Sequence, residues 1–348
     1  MILHTERCLK VIHKNSTCMK CQTICPTHAL DFSMNMPHID ALKCSNCGAC
    51  THVCPMDVFE SQTPSDETLM ASIESKNAKN EEIVFTCKQI HIFDNTSIGV
   101  LCLARLDRST LLYTAMTATQ DVHILHGECA KCPFACTKSL IEVTLNDVSA
   151  LVSLANLPIQ LHVAQQKESI NHHEERQNEQ IRQGKIRRRF LLKLLGKHTD
   201  AEDTSILKSE KTAQILTHRI EKYGIYTKQQ RYISILKRLF SKKENLLSTI
   251  IGTKPIINAQ DCQQCSVCTH VCPSGALSLA EGTSFGILFY PSLCIECHLC
   301  ADICFTHAIS QENKILYDII ENNVEILFQN DFRVNPEQAQ TKVAVYRT

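Results

Sequence analysis

Along residues 81–165, short apolar runs alternate with stretches of helical length. EEIVFTC (81–87), SIGVLCLARLD (97–107), DVHILHGEC (121–129) and LPIQLHVAQ (157–165) read as buried strands. Between them, STLLYTAMTAT (109–119) and KSLIEVTLNDVSALVSLA (138–155) have helical length and apolar spacing, with Ser109 as the expected N-cap of the first. Alternating strand and helix predicts a parallel sheet with right-handed crossovers, a small α/β domain over 81–165. Residues 166–250 contain no cysteine and little Gly or Pro, which predicts a helical connector. Within it, Tyr232, Ile233, Leu236, Leu239 and Phe240 of KQQRYISILKRLF (228–240) fall near one face of an amphipathic helix.

Charge changes the picture of the connector. The whole chain, 348 residues and 44% hydrophobic, is formally neutral, so no global field draws it to nucleic acid, and its length suits two or three domains. The connector alone holds 19 Lys and Arg against 10 acidic residues. Its basic helices either bridge the flanking modules or dock an acidic partner or, peripherally, an anionic membrane surface. RRRFLLKLLG (187–196) resembles a twin-arginine export motif, but its internal position and the absence of a following apolar stretch argue against export. The first residues, MILHTERCLK, lack an apolar signal region, and no run approaches the roughly 18 apolar residues of a membrane span. A cytoplasmic, reducing setting is the expectation.

Cysteine carries the chemistry. The chain has 21, most of them in C-x2-C and C-x3-C groups that ask for metal rather than for disulfides. A bacterial-type iron–sulfur signature is C-x2-C-x2-C-x3-C-P, in which the fourth cysteine ligates the cluster of the other copy. CQQCSVCTHVCP supplies Cys262, Cys265, Cys268 and Cys272, and CIECHLCADICF supplies Cys294, Cys297, Cys300 and Cys304. Crossing the fourth ligands groups Cys262, Cys265, Cys268 with Cys304, and Cys294, Cys297, Cys300 with Cys272. Each fourth cysteine is expected at the start of a helix, with the proline in its first turn covering the cluster. Phe305 replaces that proline after Cys304 and is expected to serve as the cover there.

Near the N-terminus, CSNCGACTHVCP is complete, with Cys44, Cys47, Cys50 and Cys54 and with Gly48 allowing a close backbone approach. The preceding copy, CMKCQTICP, offers Cys18, Cys21 and Cys25, and Asn15 stands where its leading cysteine belongs. Cys8 is the natural substitute if the segment between loops out. One set is then Cys8, Cys18, Cys21 and Cys54, and the other is Cys44, Cys47, Cys50 and Cys25; without Cys8 the first site holds three irons or is labile. Zinc also binds C-x2-C pairs, but it has no use for a third cysteine three residues on. In the middle segment Cys87 and Cys102 end the first two strands and CAKCPFAC brings Cys129, Cys132 and Cys136 after the third. All five lie at the carboxyl edge of the sheet, where open α/β sheets bind ligands, and form a candidate fifth metal site with Cys129, Cys132 and Cys136 as its core and Cys87 or Cys102 completing it. The competing reading makes Cys87 and Cys102 ordinary buried thiols.

These motifs, with the tails CPTHALDF (25–32), CPSGALSL (272–279) and CFTHAISQ (304–311), resemble the two-cluster bacterial ferredoxin domain at residues 1–62 and again at 254–318. The resemblance implies two α+β ferredoxin-like modules with two [4Fe-4S] clusters each, flanking the α/β domain and connector, with 319–348 as a C-terminal extension. At much lower specificity, the middle segment resembles the small iron–sulfur subunit that links a hydrogenase or formate dehydrogenase to heterodisulfide reductase. That likeness implies a [2Fe-2S] centre, although spacing alone leaves [2Fe-2S] and [4Fe-4S] open. It also implies redox partner proteins: a dehydrogenase- or hydrogenase-type donor and a reductase-type acceptor. The expected function is an electron relay, more an electron-transfer subunit than a catalyst, because no dinucleotide fingerprint, phosphate loop or catalytic triad is present. His28, His52, His270, His298 and His307 lie beside ligand cysteines and read as shell residues, since each motif has its thiolates. Two other classes stay open: an enzyme with flavin or thiol chemistry in the middle domain, and a zinc-held scaffold.

Overall fold

A computed structural model describes residues 1–88, 96–165, 227–241, 248–280, 285–320 and 324–330. The twin-arginine-like stretch and most of the basic connector lie outside the described residues, as does the chain beyond 330.

The N-terminal module runs β1 (Ile2–Leu3), α1 (Leu9–Ile12), α2 (Lys20–Ile24), β2 (Leu30–Ser33), β3 (Met36–Ile39), α3 (Ala49–Val53) and β4 (Phe59–Glu60). β1 pairs antiparallel with β4, and β2 with β3. After α4 (Asp66–Ala78) the α/β domain follows with β5 (Ile83–Cys87), β6 (Ile98–Val100), α5 (Arg108–Thr117), β7 (Val122–His126), α6 (Lys138–Leu154) and β8 (Leu161–Gln165). Its four strands lie in the order β6-β5-β7-β8 and every pairing is parallel. Next among the described residues is α7 (Thr227–Phe240). The C-terminal module comprises β9 (Ile250–Ile257), α8 (Val267–Val271), β10 (Leu277–Leu279), β11 (Phe285–Phe289), α9 (Leu299–Asp302), β12 (Ile309–Ile315), α10 (Leu316–Ile320) and β13 (Glu325–Asn330). β9 pairs antiparallel with β12, while β13 adds to the β10–β11 hairpin and carries that sheet past residue 318.

Two elements differ from the sequence expectation. The second strand is short, because residues 103–105 form a 3-10 turn that buries Leu103 and drives Arg105 inward onto Asp66. The N-cap of α5 is Asp107, not Ser109: its carboxylate accepts from the Thr110 amide at 2.9 Å, and Ser109 Oγ donates to the same oxygen at 2.7 Å. An ionised cap at a helix N-terminus outcompetes a hydroxyl two residues later. α4 has a Ser65 cap accepting from the Thr68 amide at 3.1 Å, and it buries Leu69 and Ile73 one turn apart.

The core falls into two main clusters. One surrounds the parallel sheet, with Phe85, Val100, Val122 and Ile124 covered by α4, α5 and α6 and closed by Leu316 and Ile319 of α10. α7 belongs to this core: Tyr232, Ile233, Ile235, Leu236 and Phe240 are all buried, so the apolar face of this basic helix is covered by the chain itself. The second cluster runs through both cysteine-rich modules, joining Leu9, Met56 and Phe59 to Phe289, Leu293 and Leu299. Each buried aliphatic side chain contributes about 1.5–3 kcal/mol. Leu236 is wholly buried, so Leu236→Ala is expected to destabilise the fold by about 2–5 kcal/mol, measured as a lowered denaturation midpoint of the full chain.

Candidate iron–sulfur sites

The local backbone repeats with the cysteines. In three loops the residues two and four positions after the leading cysteine have positive φ: Asn46 and Gly48, Gln264 and Ser266, Glu296 and His298. Alternating right- and left-handed residues turn successive amides to one side, which makes a concave nest for negative charge. The second left-handed residue of each loop is the N-cap of the one-turn helix that follows, α3, α8 or α9. The loop around Cys18 and Cys21, which lacks a leading cysteine, is different: its N-cap Met19 has φ −130. The repeat continues past each fourth cysteine. His28, Asp57, Gly275 and His307, each three residues on, all have positive φ. A strand then starts five residues after Cys25, Cys54, Cys272 and Cys304 alike. Left-handed backbone is tolerated by Asn, Asp and His and is free for Gly, so His28 and His307 stand where Gly275 shows the requirement openly.

The fourth cysteines sit at helix ends rather than at helix starts. Cys25, Cys54 and Cys272 are the C-caps of α2, α3 and α8. The proline after each disfavours helical backbone at the cysteine and so stops the turn instead of opening one. Pro26 and Pro273 line the cavities beside Cys25 and Cys272. Phe305 is 54% exposed and lines no such cavity, so the expected aromatic cover over Cys304 is not formed.

Cys25, Cys44, Cys47 and Cys50 line one small cavity, Cys262, Cys265, Cys268 and Cys304 a second, and Cys272, Cys294, Cys297 and Cys300 a third. Cys8 is buried next to Cys18 and Cys21, and it reaches them because β1 clips the N-terminus beside β4 while α1 takes up the intervening residues. The resulting neighbours of Cys21 are Cys54, Cys18 and Cys8, with Cys50 the weakest contributor. Burial, reinforced by neighbouring sulfurs, pushes Cys50 and Cys268 up to about 12. Burial likewise lifts Cys294 to about 11 and raises Cys21, Cys297 and Cys300 further. Three fourth-position sulfurs have a hydroxyl two residues on: Thr27 at 3.7 Å from Cys25, Ser274 at 3.7 Å from Cys272 and Thr306 at 3.6 Å from Cys304. Cys54 has the apolar Met56 in that position.

At the carboxyl edge of the parallel sheet, Cys87, Cys102, Cys129 and Cys132 line a cavity of about 240 Å³ together with His126. Cys102 is held by Thr137 Oγ1 at 3.4 Å and is pushed by burial to about 11. Cys129 is raised by burial and by Cys87 and Cys132, and its sulfur lies 3.7 Å from His126 Nδ1. Cys136 is not part of this lining: it is exposed and directs its thiol to the Ile24 carbonyl at 3.7 Å. Cys47, Cys102 and Phe134 share a small apolar cluster, so this edge abuts the Cys44 loop. Among the described residues, no three His, Cys, Asp or Glu side chains stand close enough to chelate a single ion. The thiols therefore surround volumes rather than points.

Several shaping residues were invisible to motif reading. His52 joins the N-terminal module to the α/β domain, with Nδ1 3.0 Å from the Ala104 carbonyl and Nε2 3.2 Å from Thr144 Oγ1; burial lowers it to about 4. Lys228, at the start of α7, donates to the Thr51 and Cys54 carbonyls and pairs with Asp57 at 3.0 Å. Burial opposes its charge, but Asp57, Asp107 and Cys54 outweigh that and raise its pKa. Gln229 donates to the Cys294 carbonyl at 3.2 Å, and the buried Lys314 approaches the same carbonyl at 3.5 Å. Only long-range contact reveals them. The close approach at Gly48 comes from a side chain: a Cβ there would collide with Arg105, on backbone at φ +81. Gly48→Ala is accordingly expected to cost at least about 1–3 kcal/mol and to lower metal retention at Cys44, Cys47 and Cys50, read by denaturation and iron analysis.

Comparison with known families gives two matches. Residues 15–65 match the LdpA Fe–S cluster-binding domain, a range that includes seven of the motif cysteines and not Cys8. Residues 254–305 match a 4Fe–4S dicluster domain. Neither curated proteins nor solved structures give a match. Among the described residues no helix is long and apolar enough to cross a membrane. The chain thus carries an iron–sulfur cluster-binding domain near its N-terminus and a 4Fe–4S dicluster domain near its C-terminus.

Proposed function

We propose that this chain is a single-electron relay holding four [4Fe-4S] clusters, with a fifth metal centre at the sheet edge. The ligand sets are Cys8, Cys18, Cys21, Cys54; Cys44, Cys47, Cys50, Cys25; Cys262, Cys265, Cys268, Cys304; and Cys294, Cys297, Cys300, Cys272. The observation that carries this reading is the exchange of fourth cysteines, for Cys304 lines the cavity of Cys262–Cys268 and Cys272 that of Cys294–Cys300. A cubane held by four thiolates accepts and releases one electron at a time. The chain's part is to hold the sulfurs, screen them from water and set their potential. Nest amides, the hydroxyls of Thr27, Ser274 and Thr306, and the cation of Lys228 are the means of tuning. The donor set of the fifth centre is Cys87, Cys102, Cys129 and Cys132, all thiol, which suits iron–sulfur ligation. Thiol–disulfide chemistry at this edge is less favoured, because a reactive cysteine needs a lowered pKa and both Cys102 and Cys129 are raised. Donor and acceptor are redox proteins of the dehydrogenase or hydrogenase and reductase types.

Anaerobic purification followed by iron and sulfide analysis tests this directly. Four cubanes give about 16 irons and as much sulfide per chain, and the fifth centre adds to that total. Cys132→Ser is expected to lose the additional iron and keep the rest, whereas Cys136→Ser loses none; unchanged iron in Cys132→Ser would remove the fifth centre. Zinc with no colour would remove the relay. Thr306→Val deletes a hydroxyl beside Cys304 and is expected to lower the potential of one centre by roughly 20–60 mV in an EPR-monitored redox titration.

A further inference from the structure

The relay reading leaves open how electrons cross between modules that are far apart in sequence. The polar links that tie one cysteine-rich module to the other converge on one crossing. Thr17, next to Cys18, is held by Asp302 through its amide and its hydroxyl, each at 2.8 Å. Lys20, between Cys18 and Cys21, donates to the Glu296 carbonyl at 3.1 Å, and Glu296 lies between Cys294 and Cys297. At the start of α7, two consecutive side chains reach opposite ways: Lys228 to the Cys54 carbonyl and Gln229 to the Cys294 carbonyl. The Thr17 and Lys20 links join the Cys8, Cys18, Cys21, Cys54 set directly to the Cys294, Cys297, Cys300 run, and the adjacent Lys228 and Gln229 join Cys54 to Cys294 through α7. Of these, Lys20, Cys54, Lys228, Gln229 and Glu296 line a cleft of about 650 Å³ whose walls come from both modules and from the α/β domain.

Resting on the relay reading, we infer that Lys228 and Gln229 form a clamp that fixes the two modules for electron exchange at this one junction. Electrons then cross between the Cys8 set and the Cys294 set. The Cys44 set faces the α/β domain on one side, through Cys47 and Cys102, and the Cys262 set forms the far end on the other. The order along the molecule is sheet-edge centre, Cys44 set, Cys8 set, Cys294 set, Cys262 set. The clamp is rigid for a physical reason. Tyr232, Ile233, Leu236 and Phe240 anchor the rest of α7 in the α/β core, so the two side chains project from a fixed helix end. Electron tunnelling falls steeply with distance, and a loss of registry at this junction slows only the crossing. One electron leaves the N-terminal module as one enters the C-terminal module, with no proton or bond change. Lys228 and Gln229 are positioning residues.

The test uses the full chain, purified anaerobically, with a ruthenium photosensitiser coupled to the exposed Cys136 thiol and ascorbate as the reductant that restores the dye. A flash delivers one electron beside Cys25; a fast phase reports reduction of the near module and a slower one the crossing. Gln229→Leu and the surface substitution Lys20→Met are each expected to slow the second phase at least threefold, and together at least tenfold, with iron, sulfide and the first phase unchanged. Lys228→Arg, which keeps the cation, should stay within twofold of the unsubstituted chain, while Lys228→Met should not. An unchanged second phase in the double variant with full iron overturns the clamp and leaves the relay standing. An unsubstituted chain with far fewer than about 16 irons overturns the relay itself, and the clamp with it.

Discussion

Four sulfurs cannot all be ionised in one buried volume unless positive charge stands among them. Every candidate set in this protein is organised around that constraint. Burial and repulsion from neighbouring sulfurs lift Cys50 and Cys268 to about 12 and Cys294 to about 11, and burial outweighs Lys228 to lift Cys54 to about 11, so without metal these groups are neutral thiols. Iron reverses the balance, since a metal-bound thiol is deprotonated and binding releases its proton. The free energy of ligation is then also folding free energy. The second core cluster contains buried ligand cysteines, Cys8, Cys21, Cys268 and Cys272, packed among the aliphatic and aromatic side chains of both modules. Left-handed residues turn amides inward where the cluster's own negative charge would lie.

The α/β domain gives these modules a frame. Its parallel sheet is an ordinary buried core, but its carboxyl edge meets the N-terminal module at adjoining points: Cys102 and Phe134 against the Cys44 loop, and His52 from α3 into the Ala104–Thr144 notch. α7 extends from the same core to both cysteine-rich modules. A basic amphipathic helix would ordinarily offer its apolar face to a membrane or a partner. Here that face is buried within the chain, and Lys228 and Gln229 at its start bond inward to the two modules.

Legibility followed the range of the interaction. Cysteine spacing is local, so three of the ligand runs stood out from the residues alone, and counting back from Cys18 was enough to raise Cys8. Alternating strand and helix made the parallel sheet readable for the same reason, and the apolar stripe of α7 marked an amphipathic helix without saying whether the chain itself, a partner or a membrane would cover it. What was missed depends on geometry that spacing does not encode. Proline after a fourth cysteine is equally compatible with a helix start or stop, and the stop is decided by the three-thiolate loop feeding directly into one turn of helix. Ser109 lost the cap to Asp107 because a carboxylate happened to stand two residues earlier. Phe305 was expected to cover and instead faces outward. The left-handed repeat was legible only at Gly48 and Gly275, since Asn, Gln, Glu, Ser and His in those places carry no such signal. Lys228 and Gln229 could not be found in advance, because their partners lie 174 and 65 residues away.

The most direct measurement is anomalous X-ray scattering at the iron edge from anaerobically grown crystals of the full chain. The expected result is iron density enclosed by Cys262, Cys265, Cys268 and Cys304, by Cys294, Cys297, Cys300 and Cys272, and by the two corresponding N-terminal sets with Cys8 among their ligands. Iron bound by Cys262, Cys265, Cys268 and Cys272 from a single loop, or a zinc edge in place of iron, would contradict it.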